Sequence, residues 1–205
     1  LCDDNLLTVI YAPALQKLKV YSTDSLTQLK LDAMNAFLTR HHLIKYFAFT
    51  LYNGEDVEVQ NCSFSLAHLK LKILRLLEFR YDVNAVTNIL KSQHDLIELK
   101  LEDGAYSESY EDSTRVASFT PLFEQILKLK NLQNLYIEMP SDKMMNCIPI
   151  NLKYLTVLKI CSITSEMLDT FQPIKNEKIK KLCIENIEHG KKHLEASHII
   201  NLAKS

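Results

Sequence analysis

The chain has 205 residues, with 24 Lys and Arg against 25 Asp and Glu, a formal net charge of −1 and 47% hydrophobic content. That is enough apolar material for a sizeable core, and the balanced charge argues against bulk electrostatic binding to nucleic acid or a membrane surface. No apolar run has the length of a bilayer span. The three glycines, Gly54, Gly104 and Gly190, form neither GxGxxG nor GxxxxGK[ST], which removes the dinucleotide and phosphate-loop enzymes.

The first residues, Leu1 to Asn5, show no basic region followed by an apolar segment and no initiator Met, so the chain is expected to be a fragment of a longer protein. Leu15, Leu18 and Val20 are followed 11 residues later by Leu26, Leu29 and Leu31. No helix fits that gap, so residues 6–31 are expected to form short irregular rungs, or a hairpin turning through Ser22 to Ser25. Asp32 is placed to cap a helix carrying Met34, Phe37 and Leu38. Leu43, Tyr46 and Ala48 then make a weak copy of a phrase that recurs downstream: apolar, two variable residues, apolar, one variable, apolar. An excursion from Phe49 to Phe64 contains Asn53-Gly54, a favoured turn pair.

The phrase recurs at Leu74, Leu77 and Phe79, at Leu96, Leu99 and Leu101, at Leu132, Leu135 and Ile137, at Leu155, Leu158 and Ile160, and at Ile179, Leu182 and Ile184. Its starts are 22, 36, 23 and 24 residues apart. Alternate residues of a strand point the same way, so each copy reads as a strand with one apolar side. These five strands are expected to form one parallel sheet in chain order. Between them lie helical stripes: Asp82 ahead of Val83, Val86, Ile89 and Leu90; Thr120 and Pro121 ahead of Leu122, Phe123, Ile126 and Leu127; Ser165 ahead of Met167, Leu168 and Phe171. The 36-residue step becomes 24 when residues 103–114, DGAYSESYEDST, are removed. That segment is therefore expected to be an inserted acidic loop, with Tyr106, Ser107, Ser109 and Tyr110 as its regulatory candidates. His193 to Leu202 looks like one more helix, after which the array is expected to continue past Ser205 or to be capped.

With these L-x-x-L-x-L segments the chain resembles a leucine-rich-repeat protein, and its irregular repeats resemble those of F-box substrate receptors. The resemblance implies a single α/β domain over 1–205. It would be a solenoid horseshoe with parallel strands on the concave face and helices on the convex face. It further implies the substrate-binding repeats of an SCF-type ubiquitin ligase receptor, whose F-box would precede Leu1 and reach the ligase core subunits. An innate-immune or receptor-type recognition domain, or a non-ligase scaffold or inhibitor, are the alternatives. A layered α/β enzyme sheet competes, but its buried strands form continuous Val/Ile runs. Here polar residues such as Glu98, Lys100, Asn134 and Lys159 interrupt each strand.

In the horseshoe the variable residues would line the concave face and bind a protein partner, possibly an acidic one. The protein-binding candidates are Lys45, Phe47, Arg75, Glu78, Glu98, Lys100, Asn134, Tyr136, Thr156 and Lys159. Lys17, Lys19, Gln28, Lys30, Lys180 and Lys181 continue the same face. Lys100, Tyr136 and Lys159 hold the same position in three successive copies and are expected to form a ladder.

No catalytic residue stands out, and the chain is expected not to be an enzyme. His189, His193 and His198 lack an HExxH frame, and Cys2, Cys62, Cys147, Cys161 and Cys183 lack paired zinc spacing, so neither metal nor cofactor is expected. The acidic runs read as solvated surface, and the sequon Asn61-Cys62-Ser63 is too short to carry weight. Scattered thiols fit a reducing cytoplasmic or nuclear setting with no disulfide. Neither nucleic acid nor a membrane is expected as a partner.

Overall fold

The computed structural model of the protein describes residues 11–22, 27–51, 63–77, 83–102, 113–138, 148, 151–163 and 178–187. Seven strands, β1 (Lys17–Ser22), β2 (Tyr46–Leu51), β3 (Ile73–Leu77), β4 (Glu98–Leu101), β5 (Asn134–Glu138), β6 (Val157–Ile163) and β7 (Lys181–Ile187), pair in the order of the chain. All six pairings are parallel. The parallel, sequential arrangement expected for the five later strands is therefore present, with two more strands ahead of them.

Three helices accompany the sheet among the described residues: α1 (Gln28–Arg40), α2 (Val83–Lys91) and α3 (Ser113–Ile126). The sheet is open and flat and does not curl, which overturns the leucine-rich-repeat horseshoe and the resemblance to F-box receptors. Packed helices need 8–10 Å of lateral room while paired strands need about 4.8 Å. A helix behind every strand crowds the back of a sheet and forces it to curve. Among the described residues, α1, α2 and α3 stand on the β1–β2, β3–β4 and β4–β5 connections, and Ile148 and Asn151 between β5 and β6 are helical as well.

The register shows which residues are core. Phe47, Leu74, Leu99, Leu135 and Leu158 stand in one row across the sheet, and Val20, Phe49, Leu76, Leu101, Ile137 and Ile160 in the next. All are buried, together with Ile44, Leu71, Leu96, Leu132 and Leu155 just ahead of the strands. The helices add Leu31, Met34, Phe37 and Leu38 from α1, Val86, Ile89 and Leu90 from α2, and Leu122, Phe123 and Ile126 from α3 to the same cluster. Two strand phrases were placed wrongly from sequence. In β2 the inward residues are Phe47 and Phe49, while Leu43 is 42% exposed. In β3 the phrase is Leu71, Leu74 and Leu76, three residues earlier than Leu74, Leu77 and Phe79.

Residues 28–31 are helical, so Leu26 to Leu31 is no second strand. Thr27, with extended backbone, caps α1 by accepting the Lys30 amide on its Oγ1 at 3.3 Å. Asp32 accepts a hydrogen bond from the Gln28 side chain at 2.8 Å instead of capping. α3 begins at Ser113 and carries Pro121 inside it, where the missing N–H removes one helical hydrogen bond. Ser113 and Thr114 thus belong to α3, and the remainder of the acidic loop lies outside the described residues. So do the turn at Asn53-Gly54, the stripe from Ser165 to Phe171 and the segment from His189 onward.

Two buried polar side chains join the rungs. His41, 1% exposed, stacks on Phe37 at 3.9 Å between ring centroids. Its Nδ1 donates to the Phe37 carbonyl at 2.7 Å, which leaves Nε2 to accept the Ala12 amide at 3.0 Å. Gln93, also 1% exposed, accepts the Leu71 amide at 2.9 Å and donates to the carbonyls of Leu66 (3.2 Å) and Leu69 (3.0 Å).

Candidate functional site

Alternation places the remaining strand residues on the face opposite the core. Register aligns Lys19, Ala48, Arg75, Lys100, Tyr136, Lys159 and Cys183 in one row of this open face. Lys17, Tyr46, Ile73, Glu98, Asn134, Val157 and Lys181 form the row beside it. Of the ten protein-binding candidates, Arg75, Glu98, Lys100, Asn134, Tyr136 and Lys159 come together here. Lys45 and Thr156 lie ahead of their strands, at the edge where the strands begin. Phe47 is fully buried in the core. Glu78 and the loop residues Tyr106, Ser107, Ser109 and Tyr110 lie outside the described residues. Of the residues expected to continue the face, Gln28 and Lys30 belong to α1.

The open face is flat, and the concave surface expected to hold a protein partner is absent. Without the horseshoe, the ligase-receptor, immune-receptor and scaffold functions inferred from that family lose their basis.

Two tyrosines organise the charges. The ammonium nitrogens of Lys100 and Lys159 lie 4.2 and 4.3 Å from the Tyr136 ring centroid. This is the ladder expected for those three positions, drawn together by the negative potential of the ring face. Tyr46 plays the same part on the β1 side, with Lys17 at 4.6 Å, Arg75 at 5.6 Å and Lys19 at 5.7 Å from its centroid. Sequence reasoning missed Tyr46 because it was read as an inward residue of β2. The one-residue register slip that hid it also promoted Phe47.

Between the tyrosines the Arg75 guanidinium donates to Glu98. That hydrogen bond, ahead of the desolvation that opposes it, raises the arginine's pKa further above neutrality. The other Glu98 oxygen receives the Asn134 carboxamide at 3.5 Å. Lys100 also reaches Glu102 at 2.9 Å. A shallow depression of about 440 Å³ lies over this region, with Tyr136 and Lys159 in its lining and Lys181 and Cys183 on its β7 side. Among the described residues, these two rows carry six lysines and arginines against Glu98, while the next row along the same face brings Glu138 and Glu185. Cys183 is half-buried.

Fold and site together define an open parallel sheet with one greasy face and one polar face on which two tyrosines gather lysines and an arginine. No protein-family profile matches the chain, and no curated protein matches it in sequence.

Proposed function

We propose that the chain is a non-catalytic binding module, and that the open face of its sheet seats the anionic group of a ligand beside Tyr136. The observation that carries this reading is the Lys100–Tyr136–Lys159 ladder. Its two ammonium nitrogens are held to one ring at 4.2 and 4.3 Å, so they lie no farther apart than the 8.5 Å those distances add to. Cations positioned in advance lose less side-chain entropy when an anion arrives. The Tyr136 hydroxyl brings a neutral donor to the same row, and charge-assisted hydrogen bonds from the lysines supply the attraction. Binding is favoured over catalysis because a flat face open to water does not form the dry site in which fixed charges stabilise a transition state.

Phenyl phosphate, observed by NMR titration, is a suitable probe. It should shift the Asn134 side-chain amide and the backbone amides of β5 and β6. Affinity should rise between pH 5 and 7, as the phosphate takes its second charge near pH 6. The Lys100→Glu/Lys159→Glu variant should lose at least tenfold. Unchanged binding in that variant, or no shifts in β5 and β6, would remove the open face from consideration.

We further propose a reducing compartment, the cytoplasm or nucleus, on the scattered spacing of the cysteines alone. Titration of the unfolded chain without reductant should then find all five cysteines as thiols, and a lower count would point to an oxidising setting.

A further inference from the structure

A second surface, separate from the open face, runs along the edge where the strands begin. Because the seven strands are parallel and in order, their N-terminal ends share one side of the sheet. A backbone ladder fixes that edge. The amides of Lys45 and Tyr46 donate to Gln16, those of Lys72 and Ile73 to Lys45, and those of Ile97 and Glu98 to Lys72. The pattern continues through Gln133 and Thr156 to Lys180 and Lys181. At about 4.8 Å per rung, six steps make an edge roughly 29 Å long.

Charge on this edge is one-sided. The six residues before each of β1 to β6, with the three described residues before β7, contain nine lysines and arginines and one acid, Asp95. That is a surplus of eight in a chain of net charge −1, so the rest of the molecule carries −9. Asp95 faces Lys72 at 3.4 Å, whereas Lys45, Lys70, Lys130, Lys153 and Lys180 are exposed. Apolar surface accompanies the charge: Tyr11 is 71%, Leu43 42% and Tyr154 55% exposed, all ahead of strands. Tyr154 borders a hollow of about 310 Å³ whose lining includes Asn131 and Gln133.

We propose that this edge docks an acidic polypeptide segment, with Tyr154 as its anchor and the surrounding lysines meeting its carboxylates. The mixture fits a protein partner: an aromatic in a hollow, amide side chains for hydrogen bonds, and a charged surround. Nucleic acid suits it less well. Base stacking needs open ring faces, whereas Lys178 lies 4.9 Å from the Tyr154 ring and Tyr11 leans on His41 at 6.0 Å. A lipid surface would need a continuous apolar face, but Tyr11, Leu43 and Tyr154 precede β1, β2 and β6.

The inference does not depend on the open-face reading, and one set of variants separates them. Poly-L-glutamate is titrated calorimetrically, beside an oligo-dT strand and phosphatidylserine vesicles, at low and high salt. The variants are Lys70→Glu/Lys130→Glu/Lys153→Glu, Tyr154→Ala and the open-face pair Lys100→Glu/Lys159→Glu, each first shown to melt like the parent. The substituted rim residues are exposed, so folding should survive. Poly-L-glutamate should bind in a salt-sensitive manner. Its affinity should fall at least tenfold in the triple variant and severalfold in Tyr154→Ala, and stay within about threefold in the open-face pair. Unchanged affinity in the triple variant would overturn the proposal. So would tighter binding of oligo-dT or of vesicles than of poly-L-glutamate, or a loss confined to the open-face pair.

Discussion

Replacing Phe47 by alanine is expected to lower the unfolding free energy by about 3–5 kcal/mol, the range for deleting a buried aromatic side chain. Phe47 is 0% exposed and stands in the core row between Leu18 and Leu74. Its ring meets Phe64 edge-on at 5.4 Å, and Phe64 in turn lies 5.0 Å from Phe49, so the substitution opens a hole inside an aromatic cluster. Urea denaturation should show an earlier midpoint with an unchanged slope. The adjacent Tyr46→Ala substitution removes a ring from the open face, where water can take its place, and should cost about 1 kcal/mol or less. A loss below about 1 kcal/mol for Phe47→Ala would return that side chain to the ligand-binding face.

Gln93→Leu should cost about 3 kcal/mol or more, although it exchanges a polar side chain for an apolar one of similar size in the core. The stability comes from the backbone groups that Gln93 satisfies. On most rungs the amide of the buried residue two places before the strand donates to the carbonyl three residues back: Ile44 to His41, Leu96 to Gln93, Leu132 to Leu129 and Leu155 to Leu152. Ahead of β3 that turn closes early, at Leu69 onto Leu66, and the Leu71 amide goes to the Gln93 side chain instead. Leucine there would leave the Leu71 amide without its acceptor and the Leu69 carbonyl without its Gln93 donor, while the Leu66 carbonyl keeps the Leu69 amide. Each such buried group costs about 1–3 kcal/mol. Hydrogen exchange should register the change first at Leu71. An unaltered Leu71 amide together with a small stability loss would show that another acceptor takes over.

Both sites show why parts of the fold were legible in sequence and others were not. In β4, β5 and β6 the phrase sits between polar neighbours, so the inward residues declare themselves and the sheet order follows. In β2 every residue from Phe47 to Leu51 is buried, including Ala48 and Thr50. No alternation survives there to fix the register. In β3, Leu74, Leu76 and Leu77 offer two competing phrases, and the inserted turn ahead of them shifts the count. Leu26, Leu29 and Leu31 fit strand and helix spacing alike, and the Thr27 cap decides in favour of a helix. The largest error concerned shape. A strand phrase reports which residues face inward on one rung, whereas curvature depends on what stands behind all the rungs together.

The open-face ladder was readable because Lys100, Tyr136 and Lys159 occupy equal positions in three copies whose phrase was read correctly. Its partner at Tyr46 was hidden by the slip in β2. The lysines of the strand-leading edge were also visible as a pattern, in KLK, LKLK, NLK and KIK. Their meaning depends on the strands being parallel and adjacent, since only then do segments far apart in the chain share one edge.

Sequential strand order also bears on how the protein is made. Each strand pairs with the one synthesised just before it, and first residues of paired strands are separated by 23 to 36 positions, as from Val157 back to Asn134 and from Asn134 back to Glu98. At 5–20 residues per second, a ribosome delivers each new strand within roughly one to seven seconds of its template. No strand waits for a distant partner, and the greasy side of the newest rung is the only one still uncovered along the growing edge. The sheet can therefore lengthen vectorially from β1 to β7 during translation.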